Sequence, residues 1–138
     1  MTTFYVSPSS LSYRQYQVIV SAAISYGWTP RWVWPRQSFR PDVLFKPEIL
    51  TRALKGLSSA DIFIALVPGT FSTSIEIGMA YTLCEELFLV ARNQVYFTQT
   101  GLADAHLSSL PGIKRICCEI DEIPEMLKKE YLNLVNPA

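Results

Sequence analysis

The chain has 138 residues, the length of one domain, so we predict a single domain over residues 1–138. Apolar residues make up 49% and charged residues 17% of it, which excludes intrinsic disorder, and no apolar run reaches the roughly eighteen residues that a transmembrane helix needs. Twelve basic and twelve acidic residues give a net charge of zero, unlike the strongly basic balance of a nucleic-acid-binding domain.

Short apolar segments alternate with helical patterns from the start of the chain. The aromatic and β-branched run at residues 3–7 predicts the first strand. Ser12 is a predicted N-cap for a helix that ends at about Tyr26. Residues 31–34 predict the second strand, and residues 35–47, rich in Pro and Arg, predict a long irregular loop of the kind that often carries function.

The second half of the chain continues this alternation. The continuous apolar run at residues 62–67 predicts a central parallel strand. The other predicted elements are helices at 47–57 and 74–83, a strand at 86–90, a short helix at 104–109, a strand at 115–118 and a last helix at 121–135. The expected apolar stripes of the two middle helices are Ile49, Leu50, Leu54 and Leu57 on the first and Ile75, Met79 and Leu83 on the second.

Strands that alternate with helices predict the α/β class. We expect a doubly wound, flavodoxin-like sheet of five parallel strands with helices on both faces, because parallel strands need right-handed crossover connections. Ligands of such sheets bind outside the carboxyl ends of the strands. Two loops lie there, the Ser-Pro-Ser-Ser loop at residues 7–10 and the loop at residues 68–73.

The loop at residues 68–73 leads into a helix and carries the hydroxyl groups of Ser72 and Thr73. The free N–H groups of a helix start favour an anion. The patterns GxxxxGK[ST] and GxGxxG are absent, which argues against the usual nucleoside triphosphatases and dinucleotide-binding domains. Glu76 follows in the predicted first turn of the helix, where the helix dipole stabilises a carboxylate. Position alone leaves open whether it is an ordinary helix-start residue or a functional one.

The surroundings of Glu76 resemble the nucleoside 2-deoxyribosyltransferase family. That family has an aspartate, an apolar strand, a small-residue loop and then E-x-G-x-A at the start of a helix. Here Asp61 is followed by IFIALV, by Gly69-Thr70 and by Glu76-Ile77-Gly78-Met79-Ala80. The opening TFYVSPSS resembles the first strand and sugar-binding loop of the family, and the resemblance covers roughly residues 3–92.

The resemblance implies that Glu76 is a catalytic nucleophile that attacks the anomeric carbon of a nucleoside sugar. An N-glycosidic bond breaks through an oxocarbenium-like state, which a nearby carboxylate stabilises or captures. Gly78 is expected to let its helix pack closely on the sheet. The residues that we expect to bind the substrate are Tyr5, Ser7, Ser9, Ser10, Gly69, Thr70, Ser72 and Thr73.

The sequence departs from the family pattern at two positions. Eight positions before Asp61 the family has an aspartate that donates a proton or recognises the base, and this chain has Ala53. Six positions before the nucleophile the transferases have an aspartate, and this chain has Thr70, whereas the related deoxynucleoside 5′-monophosphate N-glycosidases have a serine and bind phosphate. Asp42, on the Pro-rich loop, is the best candidate for a second catalytic group, and a plain surface role for it stays open.

These features predict an enzyme that cleaves or transfers the N-glycosidic bond of nucleosides or nucleotides, with no metal or cofactor. One alternative is a catalytically silent nucleoside- or nucleotide-binding sensor. Another is a phosphoribohydrolase-type nucleotide N-glycosidase, because Pro68-Gly69-Thr70 before Glu76 resembles the PGGxGTxxE motif of lysine-decarboxylase-like phosphoribohydrolases. Whether the substrate carries a 5′-phosphate stays open, as does the choice between transferase and hydrolase.

Composition also gives expectations about location and assembly. Three cysteines are too few for a disulfide scaffold and favour a reducing cytoplasm. The three tryptophans crowd residues 28–34, and this cluster on a chain of zero net charge favours a homodimer or a higher homo-oligomer. We expect a small-molecule nucleoside or nucleotide as the binding partner, and neither nucleic acid nor a membrane.

Overall fold

The structure is a computed structural model that describes residues 1–40, 47–99 and 103–135. The strands are β1 (Thr3–Val6), β2 (Thr29–Pro30), β3 (Ile62–Val67), β4 (Glu86–Ala91) and β5 (Lys114–Cys117). The α-helices are α1 (Tyr13–Ser25), α2 (Pro47–Ser59), α3 (Phe71–Leu83), α4 (Val95–Thr98), α5 (Ala103–Ser108) and α6 (Ile123–Val135), and two 3-10 helices lie at Arg36–Phe39 and Ile120–Glu122. Within these ranges, no helix combines the length and the apolar character that crossing a membrane requires.

The sheet confirms the predicted fold. Its strand order is β2-β1-β3-β4-β5, and every neighbouring pair is parallel. This is the order of the flavodoxin-like doubly wound sheet, in which the direction of winding reverses between β1 and β3. Helix α1 packs against α6, whereas α2 packs against α3 and α3 against α5, as expected for two helix layers. The position expected for a ligand is therefore the carboxyl end of β1 and β3.

Strands β3 and β4 form the centre of the core. All six residues of β3 and five of the six in β4 are buried, as expected for parallel strands covered on both faces. Tyr5 of β1 belongs to this core, because its ring stacks on Phe63 of β3 with centroids 5.9 Å apart and an interplanar angle of 8°. The core thus fixes the position of a phenol group at the site end of the sheet.

Asp61, the aspartate of the family-like pattern, joins the starts of β1 and β3. Its Oδ2 atom accepts hydrogen bonds from the backbone N–H of Thr3 at 2.9 Å and from the Thr3 hydroxyl at 3.0 Å. Thr3 is buried, so these bonds satisfy donors that water does not reach. The role of Asp61 in the structure is to align the two strands at the end opposite the predicted site.

Helix α1 begins where its cap predicts. The Ser12 hydroxyl accepts a hydrogen bond from the Gln15 N–H at 3.1 Å, and the Gln15 side chain accepts one from the Ser12 N–H at 2.8 Å. This reciprocal capping box satisfies two N–H groups that a helix start leaves without helical partners. Gly27 follows the helix with φ +89°, a conformation that favours glycine.

The predicted second strand at residues 31–34 is wrong. Strand β2 contains only Thr29 and Pro30, which pair with Thr3 and Phe4 of β1. Beyond it the backbone N–H of Trp34 donates to the Tyr16 hydroxyl at 2.9 Å and not to a neighbouring strand. The Tyr16 hydroxyl on α1 therefore takes the place of a strand acceptor, and the chain leaves the sheet after β2.

Helix α3 begins at Phe71, three residues earlier than predicted, and buries a different face. The buried positions are Thr73, Ile77 and Ala80, whereas Ile75 and Leu83 of the expected stripe are 52% and 51% exposed. Thr73, Ile77 and Ala80 follow the spacings of four and three that keep residues on one helix face. Residues at a strict spacing of four, as in the predicted stripe, turn gradually away from the sheet because a helical turn has 3.6 residues.

One further expectation about the middle helices fails, and another is confirmed in part. Gly78 does not mediate close packing, because a Cβ atom built there meets nothing within 4 Å. Of the stripe expected on α2, Leu57 is fully buried and Ile49 packs partly buried against the core, whereas Leu50 and Leu54 are 40% and 45% exposed. Helix α4 was not predicted, since four residues are too few to show a helical period.

Candidate active site

A cleft of about 610 Å³ opens at the carboxyl end of β1 and β3. The loops that follow these two strands and the start of α3 contribute Ser9, Ser10, Thr70 and Ser72 to its lining. Tyr5 of β1 and Glu76 of α3 line it as well. The structure thus brings together residues from three elements at the reversal of winding, where a doubly wound sheet binds its ligand.

Glu76 is held through both of its carboxylate oxygens. The Tyr5 hydroxyl donates to Oε2 at 2.5 Å, and the Ser7 hydroxyl donates to Oε1 at 3.0 Å. Both donors come from β1 or its end and are themselves buried, so neither moves freely. One hydrogen bond to each oxygen fixes the plane of the carboxylate and leaves each oxygen with further acceptor capacity.

Burial raises the pKa of Glu76 above its usual range, and the hydrogen bonds from Tyr5 and Ser7, which favour the charged form, oppose this shift without cancelling it. The helix dipole contributes less than expected, because α3 starts at Phe71 and Glu76 therefore lies in the second turn rather than the first. The Glu76 carboxylate is therefore partly withdrawn from solvent at the wall of the cleft.

Tyr5 is the centre of a hydrogen-bonded group behind Glu76. The indole N–H of Trp34 donates to the Tyr5 hydroxyl at 3.2 Å. Burial and the neighbouring Glu76 carboxylate raise the pKa of Tyr5, so the phenol stays protonated. Burial also raises the pKa of Tyr16, the acceptor of the Trp34 backbone N–H, to about 12. Both phenols are therefore neutral hydrogen-bonding groups at physiological pH.

The hydroxyl residues of the two loops bond to one another across the cleft mouth. The hydroxyls of Ser9 and Thr70 are 3.2 Å apart, and the Ser10 hydroxyl donates to the Pro68 carbonyl at 3.1 Å. Ser72 lines the cleft next to them. These contacts hold the two loops together and keep several hydroxyl groups at one mouth of the cleft.

Three of the eight expected binding residues lie behind the cleft rather than in its lining. Ser7 and Thr73 are fully buried, and the Ser7 hydroxyl donates to Glu76. The Thr73 hydroxyl accepts from the Thr70 N–H at 3.1 Å. A Cβ atom at Gly69 would lie 2.2 Å from the same Thr73 oxygen, so this close approach requires glycine. Ser7, Gly69 and Thr73 shape the loop and the carboxylate from behind.

The other walls of the cleft come from residues that sequence reasoning did not assign to the site. The segment after β2 contributes Trp34, Ser38, Phe39 and Arg40, and the middle helices contribute Leu50, Ala53, Leu54 and Ile75. Their exposure signals this role, since Leu50, Leu54 and Ile75 are apolar side chains that remain exposed. The Ser38 hydroxyl is buried with no hydrogen-bond partner among the described residues.

The described residues do not supply a second catalytic carboxyl group to this cleft. Asp42, the candidate second catalytic group, lies outside the described residues. Ala53 does line the cleft, at the position where the family pattern has an aspartate, so the cleft has a methyl group there. Over residues 1–40, 47–99 and 103–135, no three side chains of His, Cys, Asp or Glu form a group that could hold a metal ion.

Comparisons with known proteins find likeness in structure rather than in sequence. No family model matches the chain, and no curated protein matches it. The structure of the Clostridium botulinum CMP N-glycosidase BcmB matches it with a TM-score of 0.62 and 16% sequence identity, over 94% of this chain and 99% of that chain. The chain is therefore similar in fold, over nearly its whole length, to a structure described as a nucleotide N-glycosidase.

Proposed function

We propose that this protein is an N-glycosidase or glycosyltransferase that breaks the bond between the base and the sugar of a nucleoside or nucleotide, with Glu76 as the nucleophile. The observation that carries the proposal is the partly buried carboxylate of Glu76, fixed through both oxygens in the cleft at the reversal of the sheet. The family-like pattern around Glu76 and the similarity in fold to a CMP N-glycosidase support the same chemistry.

The proposed reaction has two steps. An oxygen of Glu76 forms a bond to the anomeric carbon while the bond from that carbon to the base nitrogen breaks, and the electron pair leaves with the base. Water, or the nitrogen of a second base, then attacks the same carbon, loses a proton and releases the carboxylate. The Tyr5 and Ser7 hydroxyls orient the carboxylate, and its partial burial favours attack on a carbon that becomes positively charged.

The walls of the cleft suit the parts of a nucleoside 5′-monophosphate. Apolar side chains from the segment after β2 and from α2, among them Trp34 and Leu54, offer a surface for a planar base. The hydroxyl groups at the mouth are donors for sugar or phosphate oxygens, and Arg40 adds a cation to the lining. We therefore propose a nucleotide as the substrate class.

Departure of the base also needs a proton. Among the cleft-lining residues that the structure describes, Glu76 is the sole carboxyl group, and Ala53 lies where the family pattern supplies a second one. The role of Asp42 as the proton donor stays a prediction. The homo-oligomeric state and the cytoplasmic location stay predictions as well.

The test is a panel of nucleosides and their 5′-monophosphates, with and without an added free base, followed by chromatography. Free base alone identifies a hydrolase, and an exchanged nucleoside identifies a transferase. Glu76→Gln keeps the shape and removes the charge, so we expect turnover to fall by about a hundredfold or more. Glu85→Gln is the matched control, because Glu85 is exposed at the opposite end of the strands, and it keeps wild-type turnover.

Two results contradict the proposal in different ways. Near wild-type turnover by Glu76→Gln removes Glu76 as the nucleophile. Nucleotide binding by the wild type without any product supports the silent sensor.

The phosphate has its own test in a competition between a nucleoside and its 5′-monophosphate. We expect a preference for the monophosphate of about tenfold at low salt that declines as salt screens the charge. Arg40→Gln should reduce this preference, whereas Arg52→Gln, an exposed change on α2 outside the cleft lining, should not. Equal affinity for both ligands at every salt concentration rules out a phosphate subsite.

A further inference from the structure

Trp34 stands directly behind the residue that holds Glu76. Its side chain is 5% exposed, and its indole N–H reaches the Tyr5 hydroxyl at 3.2 Å. The Tyr5 hydroxyl in turn donates to Glu76 at 2.5 Å. Three side chains from three separate segments of the chain therefore form one hydrogen-bonded row that ends at the carboxylate.

The hydrogen-bonding capacity of each group fixes which one donates and which one accepts along this row. An indole N–H is only a donor, whereas a phenol hydroxyl has one proton to donate and lone pairs to accept with. Tyr5 therefore accepts from Trp34, and its single proton is committed to the carboxylate oxygen of Glu76. An accepted hydrogen bond also polarises a hydroxyl and makes it a better donor.

Trp34 is itself held from its backbone. Its N–H donates to the hydroxyl of Tyr16 on α1 at 2.9 Å, and Tyr16 is fully buried. This bond also ends the short strand β2, so the departure of the chain from the sheet is what brings the indole to Tyr5. The tryptophan is fixed at two points, its backbone N–H and its ring N–H.

We propose that Trp34 is a positioning residue for Glu76, because its indole N–H directs the Tyr5 hydroxyl at the carboxylate. The proposal deepens the proposed function and rests on it for its role in catalysis. Without the indole N–H, the Tyr5 hydroxyl is free to turn toward other acceptors, and the carboxylate loses part of the donation that holds it in place and in its charged form.

The sign of the expected titration follows from the groups that face Glu76. These are Tyr5 from β1 and Tyr16 from α1, both neutral. Arg40 lines the same cleft. Hydrogen bonds from Tyr5 favour the charged carboxylate. A weaker bond from Tyr5 therefore raises the pKa of Glu76 further, and the acid limb of kcat/KM moves to higher pH.

The experiment compares two tryptophans of the same chain. Trp34→Phe removes the N–H and keeps an aromatic ring, and Trp28→Phe does the same at a buried indole whose N–H has no partner among the described residues. The titration of Glu76 is followed by carbon-13 NMR on the labelled carboxyl group, assigned with Glu76→Gln. We expect Trp34→Phe to raise the midpoint by about half a unit to one unit and Trp28→Phe to leave it unchanged.

A double-variant cycle tests the route through Tyr5. Tyr5→Phe should raise the Glu76 midpoint more than Trp34→Phe does, and adding Trp34→Phe to Tyr5→Phe should change nothing further. An unshifted midpoint in Trp34→Phe overturns the proposal, and so does an equal shift in the Tyr5→Phe background. If Trp34→Phe does not fold, Tyr16→Phe carries the test, with a smaller shift of the same sign expected and no shift overturning it.

The titration is independent of turnover. A shifted Glu76 midpoint in a protein that releases no base overturns the proposed function and leaves the positioning role of Trp34 intact. If the wild type releases base but Trp34→Phe leaves the Glu76 midpoint unchanged, the proposed function stands and the positioning role of Trp34 is overturned.

Discussion

The two ends of the central strands carry carboxylates in opposite situations. At the amino end, Asp61 bonds to the buried Thr3, Glu86 forms an ion pair with Lys114, and Glu85 is exposed around a small cavity of about 240 Å³. At the carboxyl end, the cleft is larger, and among the described residues the hydrogen bonds to Glu76 come from the neutral hydroxyls of Tyr5 and Ser7. Burial raises the pKa of the Glu76 carboxyl group above its usual range.

The difference shows what separates an aligning carboxylate from a reactive one. Asp61 satisfies the buried donors of a neighbouring strand, and its hydrogen bonds are part of the sheet. Glu76 faces a space that a small molecule can enter, and its partners hold it in place without neutralising its charge. Desolvation of a charge at the wall of a cleft is the arrangement typical of functional sites.

Trp28 and Trp34 differ in the same way between the two ends of the sheet. Trp28, 3% exposed, packs at the amino end among the rings of Phe4, Tyr26 and Tyr131. Trp34 lines the cleft, and its N–H is used by Tyr5. The same side chain is a space-filling ring at one end of the sheet and a hydrogen-bond donor at the other.

The largest expected effect on stability comes from removing the Asp61 carboxylate. Asp61→Ala leaves the buried N–H of Thr3 without its acceptor and leaves the Thr3 hydroxyl only the more distant Ser59 carbonyl at 3.5 Å, so we expect the free energy of unfolding to fall by about 1–3 kcal/mol. Turnover per folded molecule should stay at the wild-type level, because the change lies at the opposite end of the strands. Urea unfolding and initial rates measure the two effects, and a large loss of turnover with unchanged stability would give Asp61 a catalytic role.

A smaller effect on stability is expected from removing the charge of Glu76. The pKa of Glu76 is raised in the folded state, so its charged form costs stability at neutral pH, and this cost disappears as the pH falls through the folded pKa. Glu76→Gln removes the charge and should therefore be more stable than the wild type at pH 7. The difference should shrink toward acid pH, where the wild-type carboxyl group is protonated.

The exposed Glu85 is the control for this stability measurement. Glu85→Gln should change the free energy of unfolding by less than about 0.5 kcal/mol at either pH. A Glu76→Gln variant that is no more stable than the wild type at pH 7, or whose advantage grows toward acid pH, would contradict the buried charge.

The sequence could predict four of the five strands and one side of the site because these depend on local signals. The apolar run at residues 62–67 is long enough to identify a central strand, and a strand followed by a loop and a helix places Glu76 near the carboxyl end of the sheet. The capping box at Ser12 is likewise a matter of residues three apart.

The other side of the site depends on contacts between distant residues. Trp34 reaches the cleft because Tyr16, on another element, accepts its backbone N–H in place of a strand. Leu50 and Leu54 looked like core residues because periodicity cannot distinguish a face on the core from a face on a cleft. The exact helical phase of α3, which turns Ile75 outward and Thr73 inward, follows from packing on the sheet.

The brevity of β2 has a consequence for how copies of this chain can associate. The N–H groups of Thr29 and Arg31 donate inward to Thr2 and Phe4, so the residue between them, Pro30, occupies the outward donor position and has no N–H to offer. An open sheet edge normally invites a strand from another molecule, and a very short edge with proline discourages it. If copies of this chain associate, we therefore expect them to do so without a continuous sheet that passes through the β2 edge from one subunit to the next.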